Sequence, residues 1–274
     1  MKILIAADME GITGVTNWNQ VDANNPDYPR FRRLMTGDVN AAVRGVCDAV
    51  VDEILVTDGH GSGTNIILED LDPCAHLISG DYSPLAMMQG IDQDIDGVIF
   101  VGYHARAGSR NAILDHTWSS RRVMNLWLND VLVGESGLNG ALAGHFNVPV
   151  LMLSGDQTAC AQATELLGKI ETVVVKTALS RMAAECFPPQ VTEERIQDAA
   201  LQAVKRLKQG EAPKPFSLST PVHVTLDFFN SEQADQAALL PGSTRLDGRR
   251  VTFTSDTMLA AYLAFQAALA LVAL

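Results

Sequence analysis

Short apolar runs of strand length recur along the first two thirds of the chain, and helical patterns lie between many of them. The strand-like runs are residues 3–7, 53–58, 76–79, 97–103, 148–155 and 172–176. Several are continuously apolar rather than alternating, which is typical of strands covered on both faces. Residues 31–50 and 158–167 have helical patterns, and Asp156 stands where an N-cap is expected for the second. This alternation predicts an α/β fold with a mostly parallel central sheet and flanking helices.

The pattern changes twice later in the chain. A hairpin is predicted from residues 123–128 and 131–133, which flank an Asn-Asp turn. After residue 191 a polar helix leads into a linker rich in proline and lysine, then a strand, a short helix, a hairpin and an apolar helix. We therefore predict an α/β catalytic domain over 1–190 and a smaller C-terminal α+β region over 191–274.

Composition narrows the class of protein. The chain has 274 residues, of which 47% are hydrophobic and 19% charged, and its net charge is −12. This charge argues against nucleic acid as the main partner, because phosphate binding requires clustered lysine and arginine. It is typical of an enzyme or of a protein that binds cations. The cysteines are far apart and form no CxxC motif, so we expect buried reduced thiols at Cys47, Cys74, Cys160 and Cys186.

Both ends of the sequence favour a cytoplasmic protein without a membrane partner. The first residues read as a strand and lack the long apolar core and cleavage site of a signal peptide. The apolar stretch 258–274 is shorter than the ~20 residues that a membrane-spanning helix needs. We therefore expect a core helix or an oligomer-interface helix at that end.

Two carboxylates directly follow the first predicted strand, in the sequence AADMEG. In an extended segment, Asp8 and Glu10 point to the same side, because residues i and i+2 share a face. Carboxylates near a buried strand are costly unless they are paired or bind a metal. Gly11 would allow the backbone to turn sharply or to approach a ligand closely.

Imidazole and carboxylate groups follow other strands as well. The strand ends supply Asp58 and His60, His104 with Arg106 beside it, and Glu135, and a loop beyond His104 supplies Asp115 and His116. Each has a common structural explanation when taken alone: a lone histidine is structural by roughly three to one, Glu135 could be a first-turn charge, and Asp58 could cap a turn. The carboxyl ends of parallel strands meet at one edge, where open α/β sheets bind ligands. Histidine and carboxylate without cysteine suit Zn²⁺ or Mn²⁺.

The number of candidate ligands is appropriate for two metal ions. Five ligands with one bridging carboxylate would give three protein bonds per ion and leave each a position for water or substrate. Two ions about 3.5–4 Å apart can activate a hydroxide and polarise a carbonyl. The remaining histidines do not follow a predicted strand, and we expect structural or surface roles for His76, His145 and His223.

Seven segments carry a resemblance to a known family: DMEGITG (8–14), LVTDGH (55–60), LISGD (77–81), VGYHARA (101–107), VGESGLNG (133–140), VPVLMLSGD (148–156) and LLPGS (239–243). They span almost the whole chain in order. The sequence resembles the zinc-dependent D-aminopeptidases associated with bacterial dipeptide-transport operons. The resemblance implies a binuclear zinc site with the ligands Asp8, Glu10, His60, His104 and Glu135.

The resemblance also implies a catalytic histidine, which corresponds to His116. The spacing from His104 to this residue is one longer here, and Asp115 replaces a small polar residue. Members of the family form homodecamers of two stacked pentameric rings and act on short peptides with an N-terminal D-residue, such as D-Ala. A homo-oligomer, two zinc ions per chain and a short peptide substrate are therefore expected.

On this basis we expect metal-assisted hydrolysis of an amide next to a free amino terminus. His116 would act as general base or acid, or alternatively as a nucleophile. Arg106 could bind a substrate carboxylate, although a surface ion pair is an equal alternative; Asn139 or backbone N–H groups could stabilise the oxyanion. The rival functions are a two-metal hydrolase of another amide or of a phosphoester, and a non-enzymatic protein in which the cluster only stabilises the fold.

Overall fold

The structure is a computed structural model that describes residues 1–272. Its strands are β1 (Lys2–Ala7), β2 (Glu53–Asp58), β3 (His76–Ile78), β4 (Gly97–Val101), β5 (Val123–Leu128), β6 (Val131–Val133), β7 (Val150–Asp156), β8 (Glu171–Ser180), β9 (Ala183–Cys186), β10 (Val222–Phe228), β11 (Thr244–Arg245) and β12 (Arg250–Ser255). Its α-helices are α1 (Tyr28–Asp48), α2 (Glu135–His145), α3 (Gln157–Leu167), α4 (Pro189–Lys208), α5 (Ser231–Ala237) and α6 (Met258–Leu271).

A seven-stranded sheet forms the centre of the fold, in the order β3-β2-β1-β4-β7-β8-β9. All neighbouring strands in it are parallel except the edge pair β8 and β9. Every residue of β4 and β7 is buried, as the continuous apolar runs predicted. The predicted mostly parallel sheet is therefore confirmed. β8 is longer than the predicted run 172–176, and β9 was not predicted because its sequence, AAEC, lacks β-branched residues.

A second, antiparallel sheet has the order β11-β12-β10-β5-β6. The predicted hairpin of β5 and β6 is confirmed by their antiparallel register. β10 pairs with β5, and α4 packs against α1. Elements from both sides of residue 190 thus contact each other closely, and the boundary near that residue stays a prediction.

Two hydrophobic cores cover the two faces of the central sheet. One contains the inward faces of α1 and α4, with residues such as Val39, Val43 and Ile196. The other joins the sheet to α2, α3, α6 and the second sheet, and it includes Phe100 and Phe265. Helices therefore flank the sheet on both sides, which leaves the strand ends as the places where a ligand can reach it.

One predicted helix start is confirmed, and one prediction about the cysteines is partly wrong. Asp156 accepts hydrogen bonds from the backbone N–H groups of the first turn of α3, so the predicted N-cap is confirmed. The prediction that the cysteines are buried holds for Cys160 and is wrong for Cys74 and Cys186, which are exposed. No helix within residues 1–272 is long and apolar enough to cross a membrane.

The strand order reverses beside β1. The chain leaves β1 through α1 to β2 on one side, while β4 lies on the other side of β1. A crevice forms at such a reversal, outside the carboxyl ends of the strands. The segments after β1 and β4, which contain the AADMEG and VGYHARA motifs, lie at this point.

Candidate metal centre

Three carboxylates and three imidazoles converge at the carboxyl ends of β1, β2 and β4. All are buried except the half-buried imidazole after β2. The six residues are Asp8, Glu10, His60, His104, His116 and Glu135. Five of them were placed at strand ends by sequence, and the sixth, His116, comes from the loop between β4 and β5. The structure thus brings every predicted ligand and the predicted catalytic histidine into one cluster.

Close backbone packing holds the two central loops together. Gly11 donates its N–H to the carbonyl of Gly102 at 2.8 Å, and Asp8 donates to Val101 at the same distance. A side chain at Gly11 would collide with the carbonyl of Tyr103. Gly102 has a φ of +74°, a conformation that glycine adopts at little cost. The glycine after the carboxylate pair is therefore required by this loop contact.

A buried lysine supports the loop that carries the carboxylates. Lys176, in the middle of β8, donates from Nζ to the carbonyls of Glu10 and Ile12 at 2.7 and 2.8 Å. Burial lowers the pKa of Lys176 to about 8. The strand pattern alone did not indicate this role, because the lysine reads as the polar end of an apolar run.

Two histidines lie closest to the carboxylates. His60 Nδ1 lies 3.0 Å from Glu10 Oε2 and 3.3 Å from Asp8 Oδ1. His104 Nε2 lies 3.0 Å from Glu135 Oε1 and 3.4 Å from Asp8 Oδ2. Asp8 is thus shared between the two imidazoles, with one oxygen facing each. This is the position that a bridging carboxylate between two ions would occupy.

The outer ring nitrogen of each histidine faces a backbone carbonyl. His60 Nε2 lies 3.0 Å from the oxygen of Val21, and His104 Nδ1 lies 3.0 Å from its neighbour Ala105. His116 Nδ1 lies 2.8 Å from the oxygen of Leu114. A carbonyl only accepts, so each outer nitrogen carries the proton of the neutral ring. The inner nitrogens then carry lone pairs that face carboxylate oxygens. Both groups are acceptors, so a metal ion or a proton must lie between them.

Several buried polar atoms of the cluster lack hydrogen-bond partners within the described residues. They are Asp8 Oδ2, Glu10 Oε2 and His104 Nε2. Glu135 Oε1 accepts from the N–H of Trp118 at 2.7 Å, which orients that carboxylate. Donor atoms of Asp8, Glu10 and His104 lie within 4.8 Å of one another, and so do those of His104, His116 and Glu135. The donor set and the unpartnered atoms fit Zn²⁺.

Without a metal, the charges of the cluster redistribute through protons. Burial by itself lowers the pKa of His60, but the neighbouring Glu10 and Asp8 carboxylates outweigh it and raise that pKa well above the ordinary value. The same balance, dominated by Glu135 and Asp8, raises the pKa of His104. Burial opposes ionisation of Asp8, yet its contacts with both histidines hold its pKa well below the usual range. Protons thus take the place of metal ions at the inner nitrogens of His60 and His104.

His116 differs from the other two histidines of the cluster. Its Nε2 lies 3.6 Å from Glu135 and 3.8 Å from Glu10, farther than the corresponding atoms of His60 and His104. Burial lowers the pKa of His116, and the adjacent His104 lowers it further. Its ring therefore stays neutral, and its Nε2 lone pair lies near Glu135 and Glu10 but beyond hydrogen-bonding distance of either.

Trp18 forms one wall beside His116, and no pattern in the sequence indicated this contact. Its ring meets the His116 ring edge-on, with centroids 5.4 Å apart. A short 3₁₀ helix at Trp18–Gln20, closed by a capping box from Asn17, holds it in place. Capping boxes are visible in sequence, but the contact with His116 depends on tertiary packing.

The remaining predicted polar residues are held by local contacts. Asp58 accepts hydrogen bonds from the N–H groups of Asn65 and Ile66, so it organises the turn that carries His60. Asp115 accepts from the N–H groups of Gly108 and Ser109 and from Arg181. The predicted surface histidines, His76, His145 and His223, are exposed.

Two predicted substrate-binding residues lie beside the cluster in different settings. Arg106 is half-buried and donates its backbone N–H to Gln162, while Gly134 packs against its Cβ. Asn139, on α2, is fully buried and donates to the hydroxyl of Tyr103 at 2.9 Å. Its amide oxygen accepts from Tyr262 at 3.3 Å. The roles assigned to Arg106 and Asn139 in substrate binding stay predictions.

A cavity of about 690 Å³ opens onto this cluster. It is lined by Glu10, Trp18, Asn19, Val21, Asp22, Asn24, His60, Ser120, Arg121 and Arg181. The volume is in the range of small-molecule sites. Two cluster residues therefore face a space in which a short peptide can lie.

Comparisons with known proteins agree with this geometry. Residues 1–267 match the model of a peptidase family, M55, described as D-aminopeptidase. The chain is similar to a D-aminopeptidase of Bacillus subtilis (strain 168), with 36% identity over 263 residues that cover 96% of this chain and 94% of that protein. It is also similar to the solved structure of the Zn-dependent D-aminopeptidase DppA from Bacillus subtilis, a self-compartmentalizing protease. That match has a TM-score of 0.95 and 34% identity, and it covers 99% of this chain and 97% of the other.

Proposed function

Because the chain belongs to the D-aminopeptidase family M55 of peptidases, we propose that it hydrolyses short peptides with an N-terminal D-amino acid and uses two zinc ions. The observation that carries this proposal is the arrangement of the cluster. Inner nitrogen lone pairs face carboxylate oxygens in a buried space, with their outer nitrogens fixed by backbone carbonyls. Metal ions relieve this contact between acceptors, and without them the inner nitrogens of His60 and His104 bind protons instead.

The proposed metal ligands are Asp8, Glu10, His60, His104 and Glu135. When bound, the ions supply Lewis-acid polarisation of the scissile carbonyl and lower the pKa of a water molecule. Asp8, which faces both His60 and His104, is the proposed bridging carboxylate. The hydrogen bond from Trp118 to Glu135 fixes the orientation of that ligand.

His116 is the proposed catalytic residue. Its Nε2 is the accepting nitrogen because Nδ1 faces the carbonyl of Leu114. A neutral imidazole at this position can take a proton from the attacking water and give it to the leaving amine. In the alternative, the same lone pair would attack the carbonyl carbon, the C–N bond would break to release the amine, and water would hydrolyse the acyl-imidazole to free the histidine. Trp18 and Leu114 limit the motion of the ring in either case.

The preference for D-residues and the assembly into a closed oligomer are further parts of the proposal. They are supported by the names of the relatives, one of which is a self-compartmentalizing protease. A decamer of two pentameric rings and a cytoplasmic location remain expectations from the sequence. Stereochemical preference would depend on which walls of the cavity contact the first side chain, and Trp18 is one such wall.

The test uses purified zinc-loaded protein and four substrates: D-Ala-D-Ala, L-Ala-L-Ala, an acyl amide and a phosphodiester. We expect cleavage of D-Ala-D-Ala with strong selectivity over the L-dipeptide, and a loss of about 10²- to 10⁴-fold in kcat for His116→Ala. His223→Ala is the matched control, because His223 is exposed on β10. Cleavage of the phosphodiester but neither dipeptide would overturn the proposal in favour of the rival hydrolase.

A further inference from the structure

Two arginines line the cavity beside the metal ligands, although the chain carries a net charge of −12. Arg121 comes from the loop before β5, and Arg181 from the turn between β8 and β9. They share the cavity wall with Glu10 and His60. The lining also carries the carboxylates of Glu10 and Asp22, so the two arginines supply the positive charge that an anion in this cavity needs.

The guanidinium of Arg181 is held in place by the residue that precedes His116. Its Nε donates to Asp115 Oδ1 at 2.8 Å, and its Nη2 donates to the carbonyl oxygen of Asp115 at 2.9 Å. The same group lies over the ring of Trp18, with Cζ 5.7 Å from the centroid. Arg181 Nη1 has no hydrogen-bond or ion-pair partner in the described part of the chain. The Nη1 side of a guanidinium that is already held in place thus remains free to bind a ligand.

The guanidinium of Arg121, unlike that of Arg181, forms no ion pair in the described part of the chain. Its backbone carbonyl accepts a hydrogen bond from Gln233, but its guanidinium has no hydrogen-bond or ion-pair partner among residues 1–272. Its side chain is exposed and lines the same cavity as Arg181. The free guanidinium of Arg121 and the free Nη1 of Arg181 thus belong to residues that line one cavity. They are suited to a carboxylate, whose two oxygens match guanidinium N–H groups.

We propose that Arg121 and Arg181 bind the C-terminal carboxylate of the substrate, so that the enzyme selects dipeptides and tripeptides with a free acid end. This inference rests on the proposed peptidase function and adds a determinant of substrate length. The carboxylate would lie on the Arg181 and Arg121 side of the cavity, while the scissile amide lies beside His116. Asp115 acts as a positioning residue, because it fixes Arg181 through its side chain and its carbonyl.

The distances within the cavity fit a peptide of this length. Trp18 contacts both ends of the proposed site, with His116 at 5.4 Å and Arg181 at 5.7 Å from the centroid of its ring. The His116 ring and the Arg181 guanidinium are therefore at most about 11 Å apart. An extended peptide spans at most about 3.5 Å per residue, so two or three residues are enough to cover that distance. Longer peptides would place an uncharged amide against the two guanidinium groups and leave the acid end in solvent.

The experiment compares free-acid and amidated forms of the same peptides. Zinc-loaded protein is assayed with D-Ala-D-Ala and with D-Ala-D-Ala amide, in wild type, Arg121→Ala and Arg181→Lys. Arg33→Ala is the matched control, because Arg33 is exposed on α1 and its loss changes the net charge equally. Arg121→Ala removes no described side-chain contact, so it tests the proposal even if changes at Arg181 disturb the loop around Asp115.

We expect wild type to prefer the free acid by about 10- to 100-fold in kcat/KM, because a charge-assisted pair is lost with the amide. Arg121→Ala should reduce this preference, mainly through a higher KM for the acid, and should change kcat/KM for the amide much less. Arg33→Ala should keep the full preference. Equal cleavage of acid and amide by wild type, or an unchanged preference in both cavity variants, would overturn the inference.

Failure of the proposed function gives a different result. If zinc-loaded wild type cleaves neither peptide, the proposed peptidase function on these substrates is wrong. The peptides then stay intact, so their binding can be measured at equilibrium. Their dissociation constants are then measured on the same proteins by titration calorimetry. Tighter binding of the acid than of the amide, reduced in Arg121→Ala, would support the carboxylate site, and equal binding of the two would contradict it.

Discussion

The rings of His104 and His116 stack face to face, with centroids 3.8 Å apart and planes inclined by 10°. Nε2 of His104 lies 3.0 Å from Glu135 Oε1, whereas Nε2 of His116 lies 3.6 Å from the same oxygen. Two stacked imidazolium cations would repel each other, and burial together with His104 lowers the pKa of His116. We therefore propose that His104 is a metal ligand and His116 a neutral base, although the two rings are in contact.

This division predicts different phenotypes for the two alanine variants. His104→Ala should reduce bound zinc from about two ions per chain to about one or fewer, because a ligand of one ion is lost. His116→Ala should keep about two ions and lose turnover. Elemental analysis and a dipeptide assay on the same samples separate the cases. Equal loss of zinc in both variants would show that His116 is also a ligand.

Zinc binding should release protons at neutral pH. In the metal-free protein, the carboxylates of Glu10, Asp8 and Glu135 raise the pKa values of His60 and His104 well above 6.5 despite burial. Both rings are then protonated at pH 7, and about two protons leave when zinc binds. Titration calorimetry in buffers of different ionisation enthalpy measures this number. Zinc binding without proton release would contradict the charge balance of the cluster.

The same shifts set the pH dependence of the metal-free protein. A raised pKa in the folded state contributes stability that is fully present below the unfolded value of 6.5 and is lost as pH rises through the folded value. Chelated protein should therefore lose stability as the pH rises above neutrality, in a window set by His60 and His104. Zinc-loaded protein, measured by thermal unfolding over the same range, should not show this loss.

Asp38 should also make the stability of the protein depend on pH, but here the pKa is raised by burial rather than by neighbouring charges. Burial raises its pKa to about 6, even though Thr13 donates to it from the backbone N–H and the hydroxyl. The folded state then binds a proton more tightly than the unfolded state, whose pKa is near 3.8, so this contribution to stability falls as pH rises from about 4 to about 6.

The Asp38→Asn variant isolates that contribution. In metal-free protein, the difference in unfolding free energy between wild type and variant should decline by roughly 2–3 kcal/mol across this window, from the size of the pKa shift. Urea unfolding at several pH values measures it. A constant difference would mean that Asp38 keeps an ordinary pKa in the folded state.

Lys176 should matter for both stability and metal binding. In Lys176→Met the carbonyls of Glu10 and Ile12 lose their donor, and each buried acceptor without a partner costs about 1–3 kcal/mol. We expect a lower midpoint of unfolding and weaker zinc binding, because the loop that carries Glu10 is no longer fixed. Lys169→Met is the control, because Lys169 is exposed. Unchanged zinc affinity in the Lys176 variant would limit the lysine to a role in folding.

Three of the residues that sequence analysis placed in the cluster share one property. Asp8, His60 and His104 each follow an apolar parallel strand, and the ends of adjacent parallel strands meet at one edge. The order of the strands in the sheet could not be predicted from the sequence. The prediction that their carboxyl ends share one edge needs only that the strands are parallel. Neighbouring strands β2, β1 and β4 then brought the three segments together.

Residues whose roles depend on tertiary approach could not be recognised in this way. Lys176 reaches the Glu10 loop from a strand two positions away from β4 in the sheet, and Arg181 reaches Asp115 from a turn after β8. Trp18 lies in a segment without periodic pattern. No local propensity indicates such contacts, because they arise only when the sheet and its loops are assembled.

The central claim is that the cluster around Asp8 holds two zinc ions, and the most direct test is the zinc content of the purified chain after zinc is supplied and excess metal is removed. Elemental analysis should give about two ions per chain for wild type, with a lower value for Asp8→Asn, in which the proposed bridge is lost. No bound zinc in wild type, or equal content in wild type and Asp8→Asn, would contradict the account.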